Sequence, residues 1–221
     1  MRLKTLQKPS EDISLDELIE LAKEELDVKN FLGQGKFGVV YKIGDNHVLK
    51  IMKDHPHIPI GVRIKKSLVE GFLWENDLSI IPSPERRATH EYKMGQRFEE
   101  LGIRAPRVYG LLEREHQIKP KNALPPVVPG RYMQYVAFNS EKPFCGIFMD
   151  HIQIENNGSW KTPEAKAAYD LAITKLAKAG IHPQDTHYEN GCNWCYEPEE
   201  DKAVFYDFGS FLFEGQNFFT I

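Results

Sequence analysis

The sequence predicts an α+β fold arranged as two small lobes. Three observations carry that expectation. Period-two segments punctuated by glycines crowd the first part of the chain, two capped amphipathic helices are expected near 84–101 and 162–179, and a second hairpin closes the sequence. At 221 residues the chain has enough material for one sizeable core or two small ones, but not for two large domains. It reads as a single domain over 1–221. A helix falls within 14–30, a first lobe spans 31–152 with an insertion at about 54–84, and a shortened second lobe covers 153–221.

The elements follow in order. Ser14-Leu15-Asp16-Glu17 is a capping box, and Leu15, Leu18, Ile19, Ala22 and Leu26 then recur at helical spacing. From Phe31 to Lys53 the period changes to that of two strands joined at Gly44-Asp45-Asn46, residues that tolerate positive φ. The proline-rich stretch 54–84 reads as an insertion with a helix-compatible middle, Lys65 to Trp74. A helix runs from Pro84 to Leu101, with Gly102 and Pro106 after it, and strands are expected over Arg107–Leu112, Arg131–Phe138 and Phe144–Ile152. Thr162-Pro163-Glu164 opens another helix that ends near Ala179 before Gly180. The last hairpin pairs Gly191–Glu197 with Ala203–Tyr206.

Composition narrows the function. A 41% hydrophobic and 27% charged chain is that of a folded protein, and a net charge of −4 offers no general attraction to nucleic acid or anionic membrane. The basic cluster Arg63–Lys66 reads as a solvated face. The N-terminus has no apolar h-region, and no run approaches the ~18 apolar residues of a membrane span. Three cysteines do not make a disulfide framework. A reducing cytoplasm is the expected location, and delivery into a host cell is compatible with the same sequence.

Several residues carry chemistry. Gly33, Gly35 and Gly38 lie in a GxGxFGxV pattern, where missing Cβ atoms let backbone approach phosphates. A dinucleotide fingerprint needs a helix directly after its glycines; here Val39-Val40-Tyr41 continues as a strand. The returning strand supplies Lys50 between apolar neighbours. Glu91 shares a helix face with Met94, Phe98 and Leu101, and a carboxylate there requires a cation, for which Lys50 is the obvious partner. Asp185 and Asn190, five apart, precede the hairpin that ends in Asp207-Phe208-Gly209. Phosphoryl transfer needs a group to accept the attacking hydroxyl's proton and oxygen ligands for a metal, and these three provide them.

With those motifs in that order, the chain resembles the protein-kinase-like superfamily over about residues 30–213. The resemblance implies a two-lobed kinase-like fold with a much reduced C-terminal lobe, and ATP with Mg2+ or Mn2+ as cofactors. Gly33, Gly35 and Gly38 would cover the phosphates, and Lys50, paired with Glu91, would contact the α- and β-phosphates. Asp185 would be the catalytic base, with Asn190 and Asp207 as metal ligands. Val40 and Val48 would roof the adenine and Cys192 floor it, while the backbone of Met149, Asp150, His151 and Ile152 would read its edge.

The departures bear on the acceptor. His182 stands three before Asp185, and Gln184 replaces the arginine that grips a phosphorylated activation loop. The chain ends twelve residues after Gly209, so neither an activation segment nor a large helical substrate lobe is expected. His187 is similar to the D-x-H-x-x-N pattern of aminoglycoside-type kinases, and Gly102–Tyr109 resembles that branch and the RIO and lipopolysaccharide kinases. A Ser/Thr protein acceptor is expected first. A small-molecule or lipid-sugar kinase, or a nucleotide-binding regulator without turnover, are the alternatives. Zinc at Cys192 and Cys195 is disfavoured, since i and i+3 on a strand point to opposite faces. The terminal Phe211, Leu212, Phe213, Phe218, Phe219 and Ile221 are expected to dock onto their own domain in preference to forming a homo-oligomer surface.

Overall fold

A computed structural model describes residues 2–3, 13–35, 37–54, 82–118, 142–152, 154–155, 161–184, 186, 188 and 193–217. They form a mixed α/β structure containing three helices and a five-stranded antiparallel sheet. In chain order the elements are β1 (Arg2–Leu3), α1 (Leu15–Glu25), β2 (Phe31–Gln34), β3 (Gly38–Ile43), β4 (His47–Met52) and α2 (Pro84–Glu100). Then come β5 (Val108–Leu112), β6 (Gly146–Asp150), β7 (Ile154–Glu155), α3 (Pro163–Lys178), β8 (Ile181–Pro183), β9 (Trp194–Glu197), β10 (Lys202–Phe205) and β11 (Phe211–Phe213).

Local chemistry accounts for the boundaries. Ser14 caps α1 reciprocally, its Oγ accepting from the Glu17 N–H at 3.3 Å while its own N–H donates to Glu17 Oε2 at 2.8 Å. Ser83 and Thr162 cap α2 and α3, each followed by proline in the first turn. Gly102 and Gly180 follow the helix ends at φ of +60° and +71°. Gly44, at φ +59°, turns β3 into β4. The expected strand over 131–138 and the expected helix over 65–74 lie outside the described residues.

The large sheet runs β2-β3-β4-β6-β5, each neighbouring pair antiparallel. Strand alternation sorts its side chains onto two faces. Val39, Tyr41, Ile43, Leu49, Ile51 and Phe148 join Leu18, Ile19 and Ala22 of α1 in one core. Val48, Met52, Ile147 and Met149 join Met94 and Phe98 of α2 in the other, which continues into α3 and the last hairpin. Lys50 alternates with Leu49 and Ile51, so it stands on the α2 face. That alternation positions the site.

A second sheet runs β10-β9-β1-β7, with β1 antiparallel to β7 and parallel to β9. β8 and β11 pair separately, Phe211 opposite Pro183. Phe211 and Leu212 are buried, and the Phe211 ring meets Phe98 edge-on at 4.9 Å and Phe205 at 5.4 Å. This part of the phenylalanine-rich tail is therefore consumed by its own core; Phe218, Phe219 and Ile221 lie outside the described residues. Among the described residues no helix is long and apolar enough to cross a membrane.

Candidate functional site

Lys50 sits mid-strand in β4, opposite Val40 of β3 and Ile147 of β6. Its stem runs past Gly38, where a Cβ would lie 3.3 Å from Lys50 Cγ and Cε and 2.9 Å from the Ile51 carbonyl oxygen. A side chain at position 38 would therefore strike the Ile51 carbonyl and crowd the lysine stem. The Lys50 ammonium donates to Glu91 Oε2 at 2.7 Å and Oε1 at 2.9 Å, and to Asp207 Oδ1 at 2.7 Å. Burial by itself would lower the lysine's pKa; the Asp207 and Glu91 carboxylates outweigh it and hold the ammonium above its ordinary value.

Glu91 projects from the apolar face of α2 and is buried. Burial pushes its carboxyl above the usual range, the Lys50 charge opposes this, and the Asp207 carboxylate adds to it. Asp207 follows β10 at the start of a 3-10 turn, Phe208–Ser210, and keeps 37% of its side chain exposed. Desolvation acts to raise its pKa, but Lys50 together with hydrogen bonds from the Gly209 N–H and the Ser210 hydroxyl brings it below the ordinary carboxylate value. One ammonium thus faces two carboxylates, and the surplus negative charge sits on the more exposed of them.

The residues after Asp207 explain how it is held. Phe208 is buried, edge-on to Phe98 at 5.6 Å and beside Gly95, where a Cβ would strike Val108 Cγ1 at 2.5 Å and come within 3.2 Å of the Phe208 ring. Gly209 lies against Glu91; a Cβ there would stand 2.8 Å from Glu91 Oε1. The aromatic ring anchors, the glycine lets the glutamate pass, and the aspartate is left facing the lysine. His90, beside Glu91, brings Nε2 to 2.8 Å from the Phe211 carbonyl oxygen. A carbonyl only accepts, so this contact requires the Nε2–H tautomer. It ties α2 to the segment beyond Asp207. No sequence period marks His90, because its partner is a backbone atom 121 positions away.

The glycine turn is closed by the Gly35 N–H donating to the Gly38 carbonyl at 2.9 Å. A Cβ at Gly33 or Gly35 would meet nothing within 4 Å, so internal packing demands glycine at 38 and leaves the other two positions open on one side. No family model matches the chain, and no curated protein matches it.

Val48 is buried and Val40 partly buried, both packed in the α2-side core. Met149 lies in the same core at the end of β6. The Asp150 N–H donates to the Arg107 carbonyl at 3.0 Å, and the His151 N–H to the Asn46 carbonyl at 2.8 Å. Those two donors are spent within the protein. The Asp150 carboxylate accepts from the Arg107 N–H at 2.9 Å and the Tyr109 hydroxyl at 2.7 Å, a structural use of that side chain.

Asp185, Asn190 and Cys192 lie outside the described residues. Two of their described neighbours reach the turn after Asp207, and a third is held by α3. The Gln184 N–H donates to the Ser210 carbonyl at 2.7 Å, and Tyr169 Oη of α3 donates to the Thr186 carbonyl at 3.0 Å. Asn193 Nδ2 donates to Ser210 Oγ at 2.8 Å. Among the described residues no three His, Cys, Asp or Glu side chains cluster as a metal cage. Asp207 alone still suits magnesium, a hard cation that takes one or two carboxylates and completes its shell with water and phosphate oxygens.

Proposed function

We propose that the chain is an ATP- and magnesium-dependent phosphotransferase, a minimal two-lobed kinase-like protein that transfers phosphate to a hydroxyl, with a Ser/Thr protein as the first acceptor. The observation that carries this reading is the convergence of Lys50, Glu91 and Asp207. Each comes from a different part of the chain, and Lys50 Nζ lies within 2.9 Å of both carboxylates. A lysine on the third strand of the sheet, a glutamate on the helix that follows, and the aspartate of Asp-Phe-Gly form the arrangement that protein kinases use. A structural ion pair would not require the second carboxylate, which adds uncompensated charge.

In this reading the magnesium nucleotide supplies the phosphoryl group and its charge neutralisation. Lys50, oriented by Glu91, would bind the nucleotide phosphates, and Asp207 would hold the cation. Gly33, Gly35 and Gly38 cover the phosphates. Asp185 accepts the proton of the attacking hydroxyl, and Asn190 assists at the metal. Because the N–H groups of Asp150 and His151 are occupied, the base edge is read through carbonyls or through Ile152.

Incubation of the purified protein with labelled Mg-ATP and a cell extract tests this. Label is expected in the protein itself or an extract protein, and absent with Asp207→Ala. Label appearing only in the small-molecule fraction would favour a small-molecule kinase, for which His187 is the motivating residue. Equal behaviour of wild type and Asp207→Ala sinks the proposal.

A further inference from the structure

Beneath the glycine turn lie two cations that this chemistry leaves unused. Lys53 is 1% exposed and Arg87 2%. Lys53 Nζ donates to the Gly35 carbonyl at 2.7 Å, and its N–H donates to the Phe37 carbonyl at 2.9 Å. Arg87 Nη1 donates to the same Phe37 carbonyl at 3.0 Å, with its guanidinium carbon 5.7 Å from the centre of the Phe37 ring. Its Nε and Nη2 donate to the Pro82 carbonyl at 3.0 Å and the Lys53 carbonyl at 2.5 Å. One guanidinium thus joins the turn, the end of β4 and the start of α2.

Stability does not explain this arrangement. Among the described residues Lys53 meets no carboxylate, and its charged neighbour on α2 is another cation. An ammonium buried against a carbonyl and beside a guanidinium costs free energy that an apolar side chain would not. Its effect is positional. Bonds from Lys53 and Arg87 to the Gly35 and Phe37 carbonyls fix both ends of the turn against the end of β4 and the start of α2.

Helix geometry adds a coupling. Arg87 precedes Glu91 by four positions on α2, so both project from one side of the helix. The helix that sets the Lys50 ammonium through Glu91 also sets the height of the turn through Arg87.

We propose that Lys53 and Arg87 are positioning residues that hold the glycine turn in register with the Lys50–Glu91 pair, at the place where it would meet the nucleotide phosphates. This rests on the nucleotide-site reading given above.

Two measurements on the full-length protein test it: amide hydrogen exchange over 33–38 without nucleotide, and steady-state kinetics with Mg-ATP. Lys53→Met and Arg87→Lys are each expected to speed exchange of the Gly35 amide about tenfold, the loss of one charge-assisted hydrogen bond. Exchange in β4 and in α2 beyond its first turn is expected to stay unchanged. KM for ATP should rise by a similar factor of about ten, with kcat within about twofold. Arg87→Lys keeps the charge, so it remains informative where Lys53→Met fails to fold. Unchanged exchange at 33–38, an increase spread over the whole sheet, or faster turn exchange with an unaltered KM each overturns the proposal. Faster turn exchange in a protein that binds no nucleotide even as wild type removes the phosphate role and the ATP reading together, while the anchoring contacts stand.

Discussion

Lys50 Nζ lies 2.7 Å from Asp207 Oδ1 across 157 positions of sequence. The contact closes the α2 side of the large sheet against the turn that follows β10, and Glu91 completes it from the helix between them. Two carboxylates depend on one ammonium, so the lysine is the keystone of the cluster. Its removal leaves Glu91 buried beside Asp207 with no cation in contact.

Lys50→Met is therefore expected to cost about 3 kcal/mol of stability, in the range for breaking a buried ion pair by removing one partner. Urea denaturation measures it. Lys50→Met combined with Glu91→Leu should recover part of the loss, because the stranded carboxylate goes too. A double variant no more stable than the single one contradicts this account.

Gly209→Ala places a Cβ 2.8 Å from Glu91 Oε1. The glutamate must retreat or the turn must shift, at about 1–3 kcal/mol for an overpacked position. The expected result is a folded protein with weakened Mg-ATP binding, read by calorimetric titration alongside a thermal melt. Unaltered affinity would show that Gly209 does not set the Glu91 position.

His90→Leu removes the donor to the buried Phe211 carbonyl. An unsatisfied buried acceptor costs about 1–3 kcal/mol. Denaturant melts should show that loss, and hydrogen exchange should localise it to β11 and the adjoining face of α2. An equally stable variant would mean the carbonyl finds another donor.

Lys53 supplies a pH signature. Burial first, and then the Arg87 charge, bring its pKa from 10.5 down to about 8. Burial also lowers Arg87, against the opposing influence of Cys145, Glu91, Asp54 and Glu85. A base whose folded pKa is depressed binds fewer protons folded than unfolded between those two values. Its contribution to stability is thus fully present above pH 10.5 and lost as pH falls through about 8. The melting temperature of the wild type relative to Lys53→Met should rise as pH goes from about 8 to 10. A difference that is flat with pH would contradict a depressed lysine.

Much of this architecture was legible from residue pattern because its causes are local. Capping at Ser14 and Thr162, the Gly44 turn, and the alternation that puts Lys50 opposite to Leu49 and Ile51 are all short-range. Glu91 was legible for an energetic reason, since a carboxylate on an apolar helix face needs a cation. The β8–β11 pairing, the insertion of Arg2–Leu3 between β7 and β9, and the His90 contact with Phe211 were not. Each depends on chain segments meeting across long separations, which periodicity does not encode. Lys53 and Arg87 were missed for a related reason: both spend their charge on backbone carbonyls, which leave no mark on the side-chain pattern.

ATP titrated calorimetrically into the purified protein, with and without magnesium, tests the Lys50–Glu91–Asp207 site most directly. The account predicts saturable binding to the wild type that magnesium strengthens, and loss of that strengthening in Asp207→Ala. Absence of binding to the wild type, or binding to Asp207→Ala with the same magnesium dependence, would contradict it.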